Sequence, residues 1–162
     1  MSEPRFTHAF DATAPETAFA GWFEGTTHVL PVRIYYEDTD MSGIVYHANY
    51  LRYCERGRSD FLRMAGVRHQ AMLEGAEKLV WALRRITLDY HRPARIDDLL
   101  HVRTRYTVMA GARLAGVQEV RRGDELLCGV TIEAAVITLD GRPRRIPPDI
   151  RAKMEPYLSA PG

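Results

Sequence analysis

"YYEDTDMSGIVYHANYLRYCERGRSDFLRMAG", residues 35–66, joins the end of one element to the whole of the next. From its middle onward, Tyr50, Tyr53, Cys54, Gly57, Phe61, Met64 and Ala65 recur at three- and four-residue spacing, the period of one apolar helix face. Arg52, Glu55, Arg56, Ser59 and Arg63 fall on the opposite side. Asn49 is a candidate N-cap and Gly66 a candidate stop. A helix of about 17 residues is about 25 Å long at 1.5 Å per residue. Gly57 interrupts the apolar face at a cost of about 1 kcal/mol relative to alanine. The expected compensation is close approach of the helix backbone to a sheet.

Upstream, from Val29, the residues Leu30, Val32, Ile34 and Tyr36 alternate with Pro31, Arg33, Tyr35 and Glu37, the two-residue period of a half-buried strand. That alternation sends Tyr36 to the buried face, with Asp38 following on the same side. Downstream, residues 79–90 and 99–109 read as strands, the second with Leu100, Val102, Thr104, Tyr106 and Val108 on one face. "ARLAGVQEVRRG" and "ELLCGVTIEAAVITLDG" follow, joined at Gly123 and Asp124, and "PPDIRAKMEPYL" reads as one short helix. Short connections after residue 90 make the pairing antiparallel. The expected class is α+β: a curved antiparallel sheet of about five strands wrapped round one long central helix. Such a sheet keeps free edges, so a second copy is expected to pair with it. Residues 1–28 read as an extension, weakly ordered or docked on the core, in which Pro15 opens a short helix carrying Phe19, Trp22 and Phe23. Residues 29–162 form the single domain.

Composition narrows the function classes. A chain of 162 residues, 46% hydrophobic, supports one domain with a core. A net charge of +1 gives no electrostatic case for nucleic acid or an anionic membrane. Cys54 and Cys128 lie far apart without CxxC spacing, so neither a disulfide framework nor a metal site is expected. The N-terminus lacks a signal-peptide core, and no apolar run approaches the roughly 20 residues of a membrane span. The expectation is a soluble cytoplasmic protein.

Two readings compete for the polar turn. Asp40-Met41-Ser42-Gly43 fits a type I turn in which Asp40 merely accepts a backbone hydrogen bond, leaving His47 incidental. Against this, Glu37, Asp38 and Asp40 crowd one strand end, which should raise the pKa of at least one of them. Ile44, Val45 and Tyr46 then return the chain to an apolar setting. The helix that follows opens with unpaired N–H groups around His47 and Ala48, at the positive end of its dipole. An acid facing such donors is what acyl transfer requires: a nucleophile or base beside an oxyanion site.

"RIYYEDTDMSGIVYHANYLRYCERGRSDFLRMAGV", with "RRITLDYHRPARIDDLL" as a second block, resembles the hotdog-fold acyl-CoA thioesterases of the 4-hydroxybenzoyl-CoA thioesterase class, in the Tol–Pal-associated (YbgC-type) branch. The resemblance runs from about Val32 to Asp149. It implies that Asp40 is the catalytic carboxylate, that the His47 backbone N–H polarises the thioester carbonyl, and that Tyr36 lines the same site. Gly43, Val45 and Tyr46 then contact substrate. Arg85 and Arg113 are candidates for the coenzyme A phosphates, with Arg84, Arg92 and Arg95 as alternatives that read equally well as solvated strand-end charges. The resemblance further implies a homodimer, itself paired into a tetramer, with sites between subunits. The substrate would be a fatty or aromatic acyl group on coenzyme A or on an acyl carrier protein, with no further cofactor. Asp40 could attack directly or deprotonate a water, and the residues leave both open. Competing readings are an acyl-thioester hydratase or dehydratase on the same fold, using Asp40 with the His47 ring, and a non-catalytic acyl-carrier-binding scaffold.

Overall fold

Residues 20–160 are described by a computed structural model, and six of its elements are strands: β1 (Trp22–Glu24), β2 (Thr27–Arg33), β3 (Leu79–Tyr90), β4 (Leu99–Ala110), β5 (Arg113–Arg122) and β6 (Glu125–Thr138). They pair antiparallel in one sheet, ordered β1-β2-β4-β5-β6-β3. Three helices accompany it: α1 (Asn49–Met64), α2 (His69–Glu74) and α3 (Pro148–Met154). The sheet thus has six strands instead of about five, and α1, with 16 residues, is accompanied by two shorter helices. The added strand is β1. Trp22 and Phe23 do not belong to a helix; they pair with Val29 and His28 across a hairpin turned at Gly25 (φ +60°). The Pro15–Phe19 part of that helical reading lies outside the described residues. β2 accordingly starts at Thr27, two residues ahead of the expected Val29.

β4 shows how alternation builds the core. Leu100, Val102, Thr104 and Tyr106 are all buried on one face. A bulge between Tyr106 and Val108 then shifts the register, so Met109 takes the inner place expected of Val108, which is half-buried. Beyond the paired part of β2, Ile34 directs both its N–H and its carbonyl toward Asp98 and Asp97 on the β4 side. Alternation therefore turns the Pro31 ring nitrogen to the outer edge of β2, where β1 has already ended.

α1 lies across β2, β4 and β5. Its buried residues include Tyr50, Tyr53, Cys54, Gly57 and Phe61 as expected, joined by Leu62 and by Arg58. Arg58 is tolerated inside because its guanidinium donates to Gln118 Oε1 at 2.8 Å and Glu55 Oε2 at 2.6 Å. The Gln118 amide nitrogen in turn donates to the Cys54 carbonyl and to Thr104 Oγ1, each at 2.9 Å. Gly57 sits over this network: a Cβ there would come 2.8 Å from Val102 Cγ1 and 3.2 Å from Thr104 Oγ1. The close approach expected from the sequence is present.

A second polar contact ties α1 to the first hairpin. Fully buried His28 places Nε2 2.8 Å from Asp60 Oδ2, the same oxygen that accepts the Gly21 N–H at 2.7 Å, while Arg63 donates to Oδ1 at 2.5 Å. Burial works to raise the Asp60 carboxyl, but the hydrogen bonds from His28, Arg63 and Gly21 outweigh it and bring the pKa down to about 2.

Two outcomes follow for stability. Gly57→Ala should destabilise by about 1 kcal/mol, because overpacking against stiff Val102 exceeds the gain in helix propensity. In a double-mutant cycle with Val102→Ala, measured by denaturant unfolding, the double variant should lose less than the sum of the singles. Asp60 titrates lower in the folded chain than in the unfolded one, so its contribution is complete above about pH 4 and is lost as pH falls toward 2. Asp60→Asn should remove about 2 kcal/mol of that acid-side slope in urea titrations across the same window.

Candidate active site

β2 gives way to a single 3-10 turn, Tyr36–Asp38. The cause is local. Asp38 Oδ2 accepts the Tyr35 N–H at 2.8 Å, and the Asp38 and Thr39 amides donate back to the Tyr35 and Tyr36 carbonyls at 3.1 and 3.2 Å. A short acidic side chain has replaced the strand ladder as the backbone's partner. Tyr36 therefore does not occupy the buried strand face expected of it and is 83% exposed.

The next residues form the tip of a small hairpin, in which Thr39 pairs with Val45 and the Asp40 N–H donates to the Ile44 carbonyl at 3.0 Å. Gly43, at φ +78°, donates its N–H to the Asp40 carbonyl at 3.0 Å. Ser42 donates both its N–H and its Oγ–H to Asp40 Oδ1, at 2.8 and 2.5 Å. The Asx-turn reading is thus correct as geometry, and in a single chain Asp40 is exposed. Those Ser42 donors, with His47 nearby, hold the Asp40 carboxyl below its ordinary value. The direction is opposite to the one expected from crowding among the acids.

The return limb is anchored. Val45 is buried and donates its N–H to the Ala94 carbonyl at 2.9 Å, while Ile44 bridges to Arg95. The Asp38 carbonyl accepts two donors, the Tyr46 N–H and Asn49 Nδ2, both at 2.9 Å. Asn49 is therefore not the N-cap; Ala48 is, and the Asn49 side chain reaches back to the loop. His47 stands one residue before the cap, its ring 4.5 Å from that of Tyr46 between centroids. Among the described residues the N–H groups of His47 and Ala48 meet no acceptor, and both lie at the positive end of α1.

One short segment therefore carries Asp40, Gly43, Val45, Tyr46 and His47, and with them an exposed carboxylate and two backbone donors without acceptors. Arg85 and Arg113 are not brought to it within the chain. Arg85 lies opposite Glu133 on β6, five residues from the Tyr90 end of β3, or about 17 Å at roughly 3.4 Å per residue. Arg113 binds Glu133 at 3.1 Å, sharing it with Arg84 at 2.7 Å. Arg95, beside Ile44, is the arginine that the fold does deliver. Sequence reasoning missed the tether of Asn49 and a contact from Tyr90, whose hydroxyl donates to the His47 carbonyl at 2.9 Å. Forty-three residues separate the latter pair, and strand periodicity carries no signal for it.

A concavity of about 860 Å³ opens on the other flank of the loop, where Leu30, Val32, Tyr35, Asp38, Arg56 and Arg68 help to line it. Asp40 and His47 do not. Among the described residues no group of His, Cys, Asp and Glu is arranged to hold a metal, and no helix is long and apolar enough to cross a membrane.

Known proteins resemble this chain over most of its length. The acyl-CoA thioester hydrolase YbgC of Escherichia coli O6:H1 is 38% identical over 128 residues, covering 77% of this chain and 93% of that protein. The acyl-CoA thioesterase YbgC of Haemophilus influenzae is 37% identical over 124 residues, covering 76% and 90%. Among solved structures, a probable thioesterase from Bartonella henselae superposes with a TM-score of 0.72 at 41% identity, covering 75% of this chain and 99% of that one. The family model of the thioesterase-like superfamily matches residues 35–154, from the Tyr35 turn through α3. With the Asp40 turn, the start of α1 and strands β3 to β6 all inside that match, the chain belongs to the thioesterase-like superfamily.

Proposed function

We propose that this protein hydrolyses acyl-CoA thioesters to a carboxylic acid and free coenzyme A, with Asp40 and the His47 amide as the reacting pair. The observation that carries this reading is an ionised, solvent-reachable carboxylate on the same anchored segment as an amide without an acceptor, inside the family match. The substrate class comes from the YbgC relatives, whose own chains are covered to 93% and 90%. A pantetheine thioester on an acyl carrier protein presents the same reacting bond and belongs to the same proposal.

The chemistry is undemanding. A thioester carbonyl is weakly stabilised by resonance, and a thiol of pKa about 8.5 leaves as thiolate with little help. One carboxylate plus an oriented N–H suffices. By the covalent route, an Asp40 oxygen bonds to the carbonyl carbon, the C–S bond breaks and the thiolate takes a proton from solvent. Water then opens the mixed anhydride, releasing the acid and restoring the carboxylate. By the water route, Asp40 takes a proton as the water oxygen attacks, and returns it to the departing sulfur. In both, the His47 N–H receives the charge that develops on the carbonyl oxygen.

The same proposal extends to assembly. Among the described residues nothing pairs with the outer edge of β3 along its 12 residues. A second copy paired there would enclose the loop that a single chain leaves open, and such dimers would pair again. Tyr36, Arg85 and Arg113 take substrate-contacting roles only in that setting. α1 is then the central helix of the hotdog arrangement, and the cytoplasm is the compartment that fits acyl-CoA.

Thiol release from a panel of acyl-CoAs tests the reading. Asp40→Asn should lose roughly 10²- to 10⁴-fold in kcat; wild-type turnover in that variant would remove Asp40 from the mechanism. Because Asp40 titrates below the usual carboxylate range, kcat/KM should stay flat down to about pH 4 and fall only below it. An absorbance change without thiol would mark a hydratase instead. In light scattering, the solution mass should be twice or four times that of the chain, and a monodisperse monomer would refute the between-subunit site.

A further inference from the structure

Tyr46 and His47 together carry four backbone polar groups, and three have partners. The Tyr46 N–H donates to the Asp38 carbonyl and the Tyr46 carbonyl accepts the Asn49 N–H, both at 2.9 Å. The His47 carbonyl accepts the Tyr90 hydroxyl, also at 2.9 Å. The remaining group is the His47 N–H, the donor on which the proposed oxyanion site depends.

The third of these bonds cannot come from the helix. The first intrahelical acceptor of α1 is the carbonyl of its N-cap, Ala48, so the His47 carbonyl stands outside the ladder and needs a donor from elsewhere. Tyr90, the last residue of β3, supplies it. Tyr90 is 50% exposed, and its hydroxyl bonds a backbone carbonyl in competition with water. The ring is steadied by an edge-on contact with buried Tyr50, at 5.5 Å between centroids. Tyr50 Oη accepts the Ala94 N–H at 3.0 Å, and the Ala94 carbonyl accepts the Val45 N–H at 2.9 Å. The two tyrosines and the connection after β3 thus grip the return limb at both ends.

We propose that Tyr90 is a positioning residue for thioester hydrolysis: by holding the His47 carbonyl it fixes the direction of the His47 N–H before substrate arrives. This rests on the acyl-thioester reading above. A backbone donor stabilises a developing oxyanion through being oriented in advance, and a residue released at one end reorients instead. Tyr90 touches neither substrate nor the reacting atoms in this scheme; it acts through the main chain.

Tyr90→Phe keeps the ring and its contact with Tyr50 while deleting the hydroxyl. The expected result is a kcat about tenfold lower, less than the 10²- to 10³-fold cost of removing an oxyanion donor, with KM changed by less than about twofold. Hydrogen exchange should speed up at the two bonded amides that flank His47, those of Tyr46 and Asn49, while the core of the sheet stays protected. An unchanged kcat would overturn the proposal. So would a lower kcat accompanied by faster exchange throughout the sheet or a variant that fails to fold, since either marks a structural role. The exchange measurement also separates this inference from the reading beneath it. If the wild type releases no thiol from any acyl-CoA, the hydrolase reading fails; accelerated exchange confined to the Tyr46 and Asn49 amides still supports the tether, and unaltered exchange at both overturns it.

Discussion

Gly57 lets the backbone of α1 descend onto Val102, Thr104 and Gln118 to a depth that any side chain would prevent. The Gln118 amide then grips the Cys54 carbonyl, and Arg58 closes the network from the other side. Depth, rotation and lateral position of the helix are set together by these contacts. A helix is stiff, so fixing it at Gly57 also fixes its first residue, Asn49, eight residues or about 12 Å away. That end then lies within reach of the Asp38 carbonyl and of the chain after β3, and the loop between them has little freedom left.

The Asx-turn reading of Asp40 holds as geometry, and it is compatible with the catalytic role proposed above. The Ser42 bonds that make it an Asx turn also lower the pKa of the carboxyl from its ordinary value. The turn fixes the carboxylate through Ser42, and the bonds of Val45, Tyr46 and Asn49 steady the amides on the same segment. What a single chain does not supply is enclosure. The concavity of about 860 Å³ lies on the other flank of the loop, and the second copy proposed above is what would exclude water here.

Much of the fold was legible because its signals are periodic. The ranges 79–90 and 99–109 match β3 and β4 to within one residue, and the face of α1 follows its three- and four-residue spacing. The failures occurred where one local bond overrode a pattern. Alternation continued through Tyr36, but the Asp38 carboxylate captured the Tyr35 amide and ended the strand. Val108 had the right parity until the bulge displaced it. Trp22 and Phe23 carried helical spacing, yet they follow the hairpin formed by Gly25. Asp40 and His47 stood out as residue types on a turn and a helix start. The Tyr90 contact and the remoteness of Arg85 and Arg113 from the loop depend on which strands become neighbours, and no stretch of sequence encodes that locally.

Pro31 gives the sheet a direction of growth. On the outer rim of β2, just where β1 runs out, the ladder meets a nitrogen that has no hydrogen to offer. An incoming strand would lose a bond there, whereas β3 at the other end carries no proline along its 12 residues. If copies join through β3 as proposed, a proline-blunted border would stand at each extremity. Union at one rim with refusal at the other would give closed, countable particles and guard against runaway fibres.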